Sequence, residues 1–235
     1  MRWPRLNLLK RMSPKAGATQ PPAAPIAGQF QLYSHTLPDR YPWLFRFAAA
    51  QLGNTVGAQL LSFGCSRGDE VFSLQRYCPR AKIKGIDVNP DNIARCKQRA
   101  QADASGNLNF AVAANTSAEP SESYDAIFCL AVLVLGDLAV VRAARCDPQL
   151  HFDDFERVVT DFSRCLKPSG LLVIHTSNFR FHDTQVAAGF DTLLQATPEQ
   201  MATDPQYGRD NRLLPEPRDR AIVFRKRPQA PAIST

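Results

Sequence analysis

Two stretches leave this chain few folds to choose from. Leu60-Leu61-Ser62-Phe63-Gly64-Cys65-Ser66-Arg67-Gly68-Asp69-Glu70 is followed by Lys84-Gly85-Ile86-Asp87-Val88-Asn89. An apolar, strand-like run ends in a glycine loop, and a helix-like segment leaves that loop. A second strand then ends in a lone acid, Asp87, nineteen residues after Gly68. That order is the layout of a nucleotide-type site at the carboxyl ends of parallel strands. Gly64 supplies a tight turn that a Cβ would hinder, and Gly68 lets a ligand approach the backbone where the helix begins. The free N–H groups of the first helical turn suit a carboxylate or phosphate. A carboxylate at Asp87 can accept both hydroxyls of a ribose. An ordinary α/β turn without a ligand is the competing reading.

The glycine spacing narrows the ligand. A dinucleotide fingerprint needs G-x-G-x-x-G, and its three positions here are Gly64, Ser66 and Asp69. A NAD-dependent oxidoreductase is therefore the weakest reading. The G-x-x-x-G that stands instead resembles the first motif of the class I S-adenosylmethionine methyltransferases. Its Gly64-Cys65-Ser66-Arg67-Gly68-Asp69-Glu70 wording is closest to the chemotaxis-receptor carboxyl methyltransferases.

Two later segments extend the resemblance. Tyr124-Asp125-Ala126-Ile127-Phe128-Cys129-Leu130 is similar to the family's strand four, whose end flanks the reactive methyl group. Residues 155–166 place apolar side chains at 155, 158, 159, 162 and 166, a helical period. Lys167-Pro168-Ser169-Gly170 is expected to end that helix, and Leu171–His175 to form strand five. The matches span roughly residues 55–177. Leu130-Ala131 replaces the Arg-Asn of the receptor enzymes, which argues against receptor glutamates as substrate. The same loop lacks the Asn/Asp-Pro-Pro-aromatic signature of enzymes that methylate amino groups of bases or glutamine.

The resemblance implies a Rossmann-like three-layer α/β sandwich with a mostly parallel sheet and an antiparallel last strand. It implies an enzyme with S-adenosylmethionine as cofactor. Gly64, Cys65, Ser66, Gly68, Glu70, Asp87, Val88 and Leu130 become candidate cofactor contacts, Glu70 or Asp69 for the ammonium. The family often places an acid after strand three for the adenine amino group. Ala113-Ala114-Asn115 stands there, so Asn115 is a candidate substitute or a turn residue. Ser62 replaces the common strand-one acid. The segment before the first helix commonly covers the cofactor, which makes Tyr33, His35, Arg40 and Tyr41 candidate substrate contacts. Asn178 and Arg180 follow strand five where substrate residues usually sit. His175, at that strand's carboxyl end, is the candidate general base, with His35 and His182 as alternatives, because a neutral imidazole is available near pH 7; a hydrogen-bonded structural histidine is the competing reading for each.

The remaining expectations concern organisation. Pro42 opens a helix ending near Gly53, residues 59–63 and 82–87 form strands, and 69–78 and 90–102 form helices, the latter capped by Asn89. Residues 107–112 form strand three, 136–152 an insertion over the site, 190–195 strand six and 221–225 strand seven. Residues 1–28 read as a flexible basic, Pro-rich tail, 29–228 as the methyltransferase domain with 29–53 as its lid, and 229–235 as a second tail. The net charge is +6, but the first 28 residues carry Arg2, Arg5, Lys10, Arg11 and Lys15 and no acid, leaving 6 − 5 = +1 for the rest. The basic balance thus belongs to the tail and gives little support to a nucleic-acid surface. Six cysteines lie without a C-x-x-C pair, and no apolar run is long enough to span a bilayer. We therefore expect a cytoplasmic protein with reduced thiols, no metal and no membrane partner, acting on a small molecule or peptide, with oxygen as the candidate methylated atom. An RNA or protein methyltransferase tethered by the basic tail, and a non-catalytic binding module, are the alternatives.

Overall fold

The computed structural model describes residues 30–31, 33–34, 36–53, 55–103, 105–147, 149–201, 203–215 and 218–228. The tails expected at 1–28 and 229–235 lie outside those residues, as does His35. The elements run α1 (Pro42–Leu52), β1 (Gln59–Phe63), α2 (Asp69–Tyr77), β2 (Lys82–Asp87), α3 (Pro90–Ala100), β3 (Leu108–Val112) and β4 (Tyr124–Leu130). There follow α4 (Asp137–Val141), α5 (Phe152–Cys165), β5 (Leu166–His175), β6 (Phe190–Gln195) and β7 (Ala221–Lys226). The strands form one sheet in the order β3-β2-β1-β4-β5-β7-β6. Neighbours are parallel from β3 to β5, and β7 runs antiparallel to both β5 and β6. The α/β class with an antiparallel last strand is as the sequence led us to expect.

Alternation along the central strands divides the core into two layers. Leu61, Phe63, Ile127, Cys129, Leu172 and Ile174 face one side and pack against Phe155, Val159 and Phe162 of α5. Leu60, Ala126, Phe128, Leu171 and Val173 face the other, against Leu44 and Phe45 of α1, Val71 and Leu74 of α2, and Ile93 and Cys96 of α3. Strands apolar on both faces are those that helices cover on both sides. Asn89 Oδ1 accepts the Asp91 N–H at 2.9 Å, and Pro90 follows, so α3 begins where its cap dictates.

Two expectations need correction. The turn at Lys167–Gly170 does not precede β5 but lies within it. Leu166 pairs with Tyr124 and Leu171 with Ala126, so residues 167–170 bulge opposite Asp125 alone. Ser169 takes φ 64° there, and Asp125 Oδ2 holds the bulge by accepting from Lys167 Nζ and Gln59 N, each at 2.7 Å. The insertion at 136–152 does not cover the glycine loop. It packs on the 205–213 segment, where Tyr207 Oη donates to Ala143 O and Leu213 N to Ala144 O. All six cysteines are free thiols. Among the described residues, no helix is long and apolar enough to cross a membrane.

Gly85, mid-strand in β2, tests the packing behind the loop. A Cβ there would stand 2.9 Å from Cys65 Sγ and from the Phe110 ring. Gly85→Ala should therefore cost about 1–3 kcal/mol through overpacking, read as a lower urea midpoint with an unchanged slope.

Candidate functional site

Three alternate residues of the β1–α2 loop adopt left-handed backbone: Gly64 at φ 70°, Ser66 at 50° and Gly68 at 86°. Gly64 is also short of space, since a Cβ there would lie 2.5 Å from Val132 Cγ2. Ser66 is the exception to the glycine preference, and a hydrogen bond from its N–H to Asp87 Oδ2, 2.8 Å long, holds it. Cys65 N donates to Ile86 O and Gly68 N to Cys65 O, which fastens the loop to the end of β2. Asp87 Oδ1 accepts from Asn89 N at 2.9 Å and Asn92 Nδ2 at 3.1 Å. An ionised carboxylate offers about four acceptor sites. Three are filled from within the protein, and the free one belongs to Oδ2.

The loop forms one wall of a cleft of about 900 Å3, including its open mouth. Phe63, Gly64, Cys65, Ser66, Glu70, Asp87, Val88, Asn89, Ala113, Ala114, Leu130, Ala131 and Val132 line the sheet side. The segment before α1 closes the other side with Phe30, Tyr33, Arg40 and Tyr41 among others. Ser66 Oγ is buried in this cleft without a hydrogen-bond partner. Unpaired buried polar atoms are costly, so this hydroxyl fits a polar ligand group. Glu70 accepts from Ser62 Oγ at 2.8 Å. The strand-one position thus holds the donor, and the helix supplies the acid. Burial pushes the Glu70 carboxyl up to about 7, against the lowering effects of the Ser62 bond and of Arg40.

The cleft brings together most of the candidates: Gly64, Cys65, Ser66, Glu70, Asp87, Val88 and Leu130 with Tyr33, Arg40 and Tyr41. Gly68 caps α2 beside it without lining it. Asp69 is turned away and pairs with Arg99 at 2.8 Å. Four others stand elsewhere. Asn115 Oδ1 accepts from Ser117 N and Oγ, closing a local turn, and the residue faces a groove along α5. Ala113 and Ala114 occupy the cleft wall in its place. Asn178 is fully buried; its side chain accepts from Leu135 N and donates to Pro205 O, splinting three loops. Arg180 forks onto Asp183 and lines a separate cavity beyond β5.

His175 also lies outside the cleft. Its Nε2 contacts Gln200 O at 3.0 Å and its Nδ1 the Thr176 hydroxyl at 2.9 Å. Burial, and Arg40 in addition, push its pKa down, against the raising effect of the Gln200 bond. Its ring stacks obliquely on Tyr41, 4.6 Å between centroids. Sequence reasoning missed Ala131, Val132 and Thr176 at the ends of β4 and β5. Small and apolar residues in a loop carry no signal of their own.

A profile of the family described as "Methyltransferase domain" matches residues 54–219. No curated protein matches the sequence. Similar solved structures include the YcgJ protein from Bacillus subtilis, at 18% identity over 57% of this chain and 50% of that one, with a TM-score of 0.43. A geranyl diphosphate C-methyltransferase from Streptomyces coelicolor, solved with Mg2+, geranyl diphosphate and S-adenosyl-L-homocysteine, matches at 17% identity over 57% and 45%, TM-score 0.41. The [4+2]-cyclase SpnF matches at 20% over 66% and 59%, TM-score 0.48. This chain spans about half the length of such structures.

The Glu70 site has a stability signature. Its folded pKa of about 7 stands above the ordinary 4.5. The stabilising contribution of the protonated carboxyl is therefore full below pH 4.5 and lost as pH rises through 7. Glu70→Gln keeps the acceptor for Ser62 and removes the charge. At pH 8 the ligand-free variant should be more stable by about 1–3 kcal/mol, with the difference gone at pH 4, as thermal or urea unfolding at the two pH values would show.

Proposed function

This chain belongs to the methyltransferase-domain family, whose cofactor is S-adenosylmethionine, and we propose that it transfers the sulfonium methyl to a small molecule or peptide. Residues 29–228 are the unit that does so. The observation that carries this reading is the pairing, in one cleft, of an orphaned Ser66 hydroxyl with the free acceptor site of Asp87. Glu70 would hold the ammonium, Asp87 a ribose hydroxyl, and the Gly64–Gly68 loop the methionine portion, while Ala113 and Ala114 leave room for a flat base. When bound, the cofactor supplies an electrophilic methyl group.

The protein's own work is then alignment and exclusion of water. Tyr33, Arg40 and Tyr41 lie across the cleft from the loop. A second chamber lined by Gln31, Tyr33, Arg40, Ala131, Val134, Thr176 and Asp204 continues from it. Four of its residues also line the cleft, so an acceptor placed there would adjoin the bound cofactor.

Calorimetric titration of the full chain with S-adenosylmethionine and with NAD tests this. Saturable binding of the first alone is expected, weakened about tenfold or more by Asp87→Ala. Affinity should rise as pH rises through about 7, because the ionised Glu70 attracts the ammonium, and Glu70→Gln should flatten that rise. Binding of neither compound would leave the proposal without support.

A further inference from the structure

We infer that Thr176 and His175 form a proton-accepting pair on the wall of the chamber, and that the methyl acceptor is a hydroxyl group. The inference rests on the cofactor reading above and names the substrate class of the same site.

The geometry begins with the ends of two strands. β4 and β5 lie side by side, and the residue after each takes a left-handed backbone: Ala131 at φ 58° and Thr176 at φ 61°. A hydrogen bond from Ala131 N to His175 O, 2.8 Å, ties the two turns together. For a β-branched residue such a φ is a true outlier, and strain of that kind persists only where surrounding structure enforces it. Both residues line the chamber. Thr176 thus lies on the chamber wall and His175 does not, while both also line the cavity beyond β5.

The hydrogen bonds fix the direction of proton flow. Gln200 O can only accept, so His175 Nε2 must carry the hydrogen in that 3.0 Å contact. In a neutral ring Nδ1 is then the acceptor, and the Thr176 hydroxyl donates to it at 2.9 Å. That leaves the Thr176 oxygen with a lone pair for a donor in the chamber. Tyr41 stacks on His175 and its hydroxyl interacts with Thr176, which holds both groups in register. Arg40 and Asp204 line the chamber with Thr176; Arg180, Asp204, Arg218 and Asp219 line the cavity on the other side of the pair, and Glu70 acts on Tyr41.

As the acceptor oxygen bonds to the methyl carbon, the electrons of the carbon–sulfur bond stay on sulfur. The acceptor's O–H proton passes to Thr176 Oγ1, and the Thr176 proton passes to His175 Nδ1. One positive charge disappears at sulfur and one appears on the imidazole, so the site keeps its charge. Arg40 disfavours the imidazolium, which then returns its proton to solvent after release. A carboxylate acceptor has no proton to lose and would leave the pair without a task. An amine attacks as its free base, with its own lone pair and no proton removed as the bond forms, so it too would leave the pair without a task. A hydroxyl turns strongly acidic as its new bond forms, so a weak base is sufficient.

Two arms test this on the full chain. The first is 15N NMR of the imidazoles without cofactor. His175 should be the neutral Nε2–H tautomer at pH 7, titrating below the ordinary 6.5; the Nδ1–H tautomer or an imidazolium at pH 7 would overturn the pair. The second uses methyl-labelled S-adenosylmethionine with a panel of simple phenols, alcohols, amines and carboxylic acids. Label should appear in hydroxyl compounds. Thr176→Val, which keeps shape and branching, should lower kcat roughly 10²–10⁴-fold with KM and cofactor affinity unchanged, and Thr176→Ser should restore it. The acid limb of the kcat profile should vanish in His175→Gln. Labelling of carboxylic acids or amines alone, of no hydroxyl compound, or an unchanged rate in Thr176→Val would each overturn the inference. Failure of wild-type protein to bind the cofactor would instead sink the reading on which it rests, leaving the NMR arm to judge the pair.

Discussion

The Asp87 carboxylate is the tie on which the site depends. One oxygen holds the Ser66 N–H and the other holds Asn89 N and Asn92 Nδ2. A single side chain thus joins the first loop, the end of the second strand and the first turn of the third helix. The bond to Ser66 matters most, because it sets a non-glycine residue in left-handed backbone between two glycines that adopt it freely. The Cys65 N–Ile86 O and Gly68 N–Cys65 O bonds hold the loop on either side of it. Asp87 is buried, and a buried carboxylate is tolerable only when its acceptor sites are met. The Ser66 and Asn89 amides and the Asn92 side chain meet three of them, so the loop and the start of α3 are ordered around one carboxylate.

Glu70 shows the opposite balance. It accepts one neutral hydrogen bond, from Ser62, and burial outweighs that bond and the field of Arg40. Two carboxylates in one cleft are therefore prepared differently. Asp87 is held by three donors before any ligand arrives, whereas Glu70 is left wanting a positive charge. Groups that sit uncomfortably in the ligand-free protein are the ones with most to gain on binding, and they tend to mark functional sites for that reason.

The fold was legible because its signals are local and periodic. The strand–loop–helix unit, the capped start of α3 and the amphipathic face of α5 each follow from residues within one or two turns of each other. Pairing details were not, because they depend on neighbours far along the chain. The bulge at 167–170 exists because Leu166 finds Tyr124 and Leu171 finds Ala126, which the Lys-Pro-Ser-Gly sequence reads as a plain turn. The candidate site divides the same way. Most residues fixed by motif spacing stand together in the cleft, with Gly68 beside it and Asp69 turned to Arg99. Asn115, Asn178 and Arg180 were singled out for polarity and position alone, and each instead satisfies partners in its own surroundings. A polar side chain after a strand is needed as often to close the loop as to meet a ligand.

His175 and Thr176 carry that lesson one step further. An imidazole with both nitrogens engaged reads as a structural histidine, yet engagement is what gives a base a defined tautomer. The backbone oxygen of Gln200 leaves Nδ1 no role except acceptance, and among the described residues it accepts from a hydroxyl on the chamber wall. That hydroxyl belongs to the residue immediately after β5, whose backbone is left-handed, beside its counterpart after β4. The sheet thus places two turns of the same unfavourable hand at the carboxyl ends of its central strands. The tight pairing of β4 with β5 enforces them, and the space between cofactor cleft and chamber is where they open.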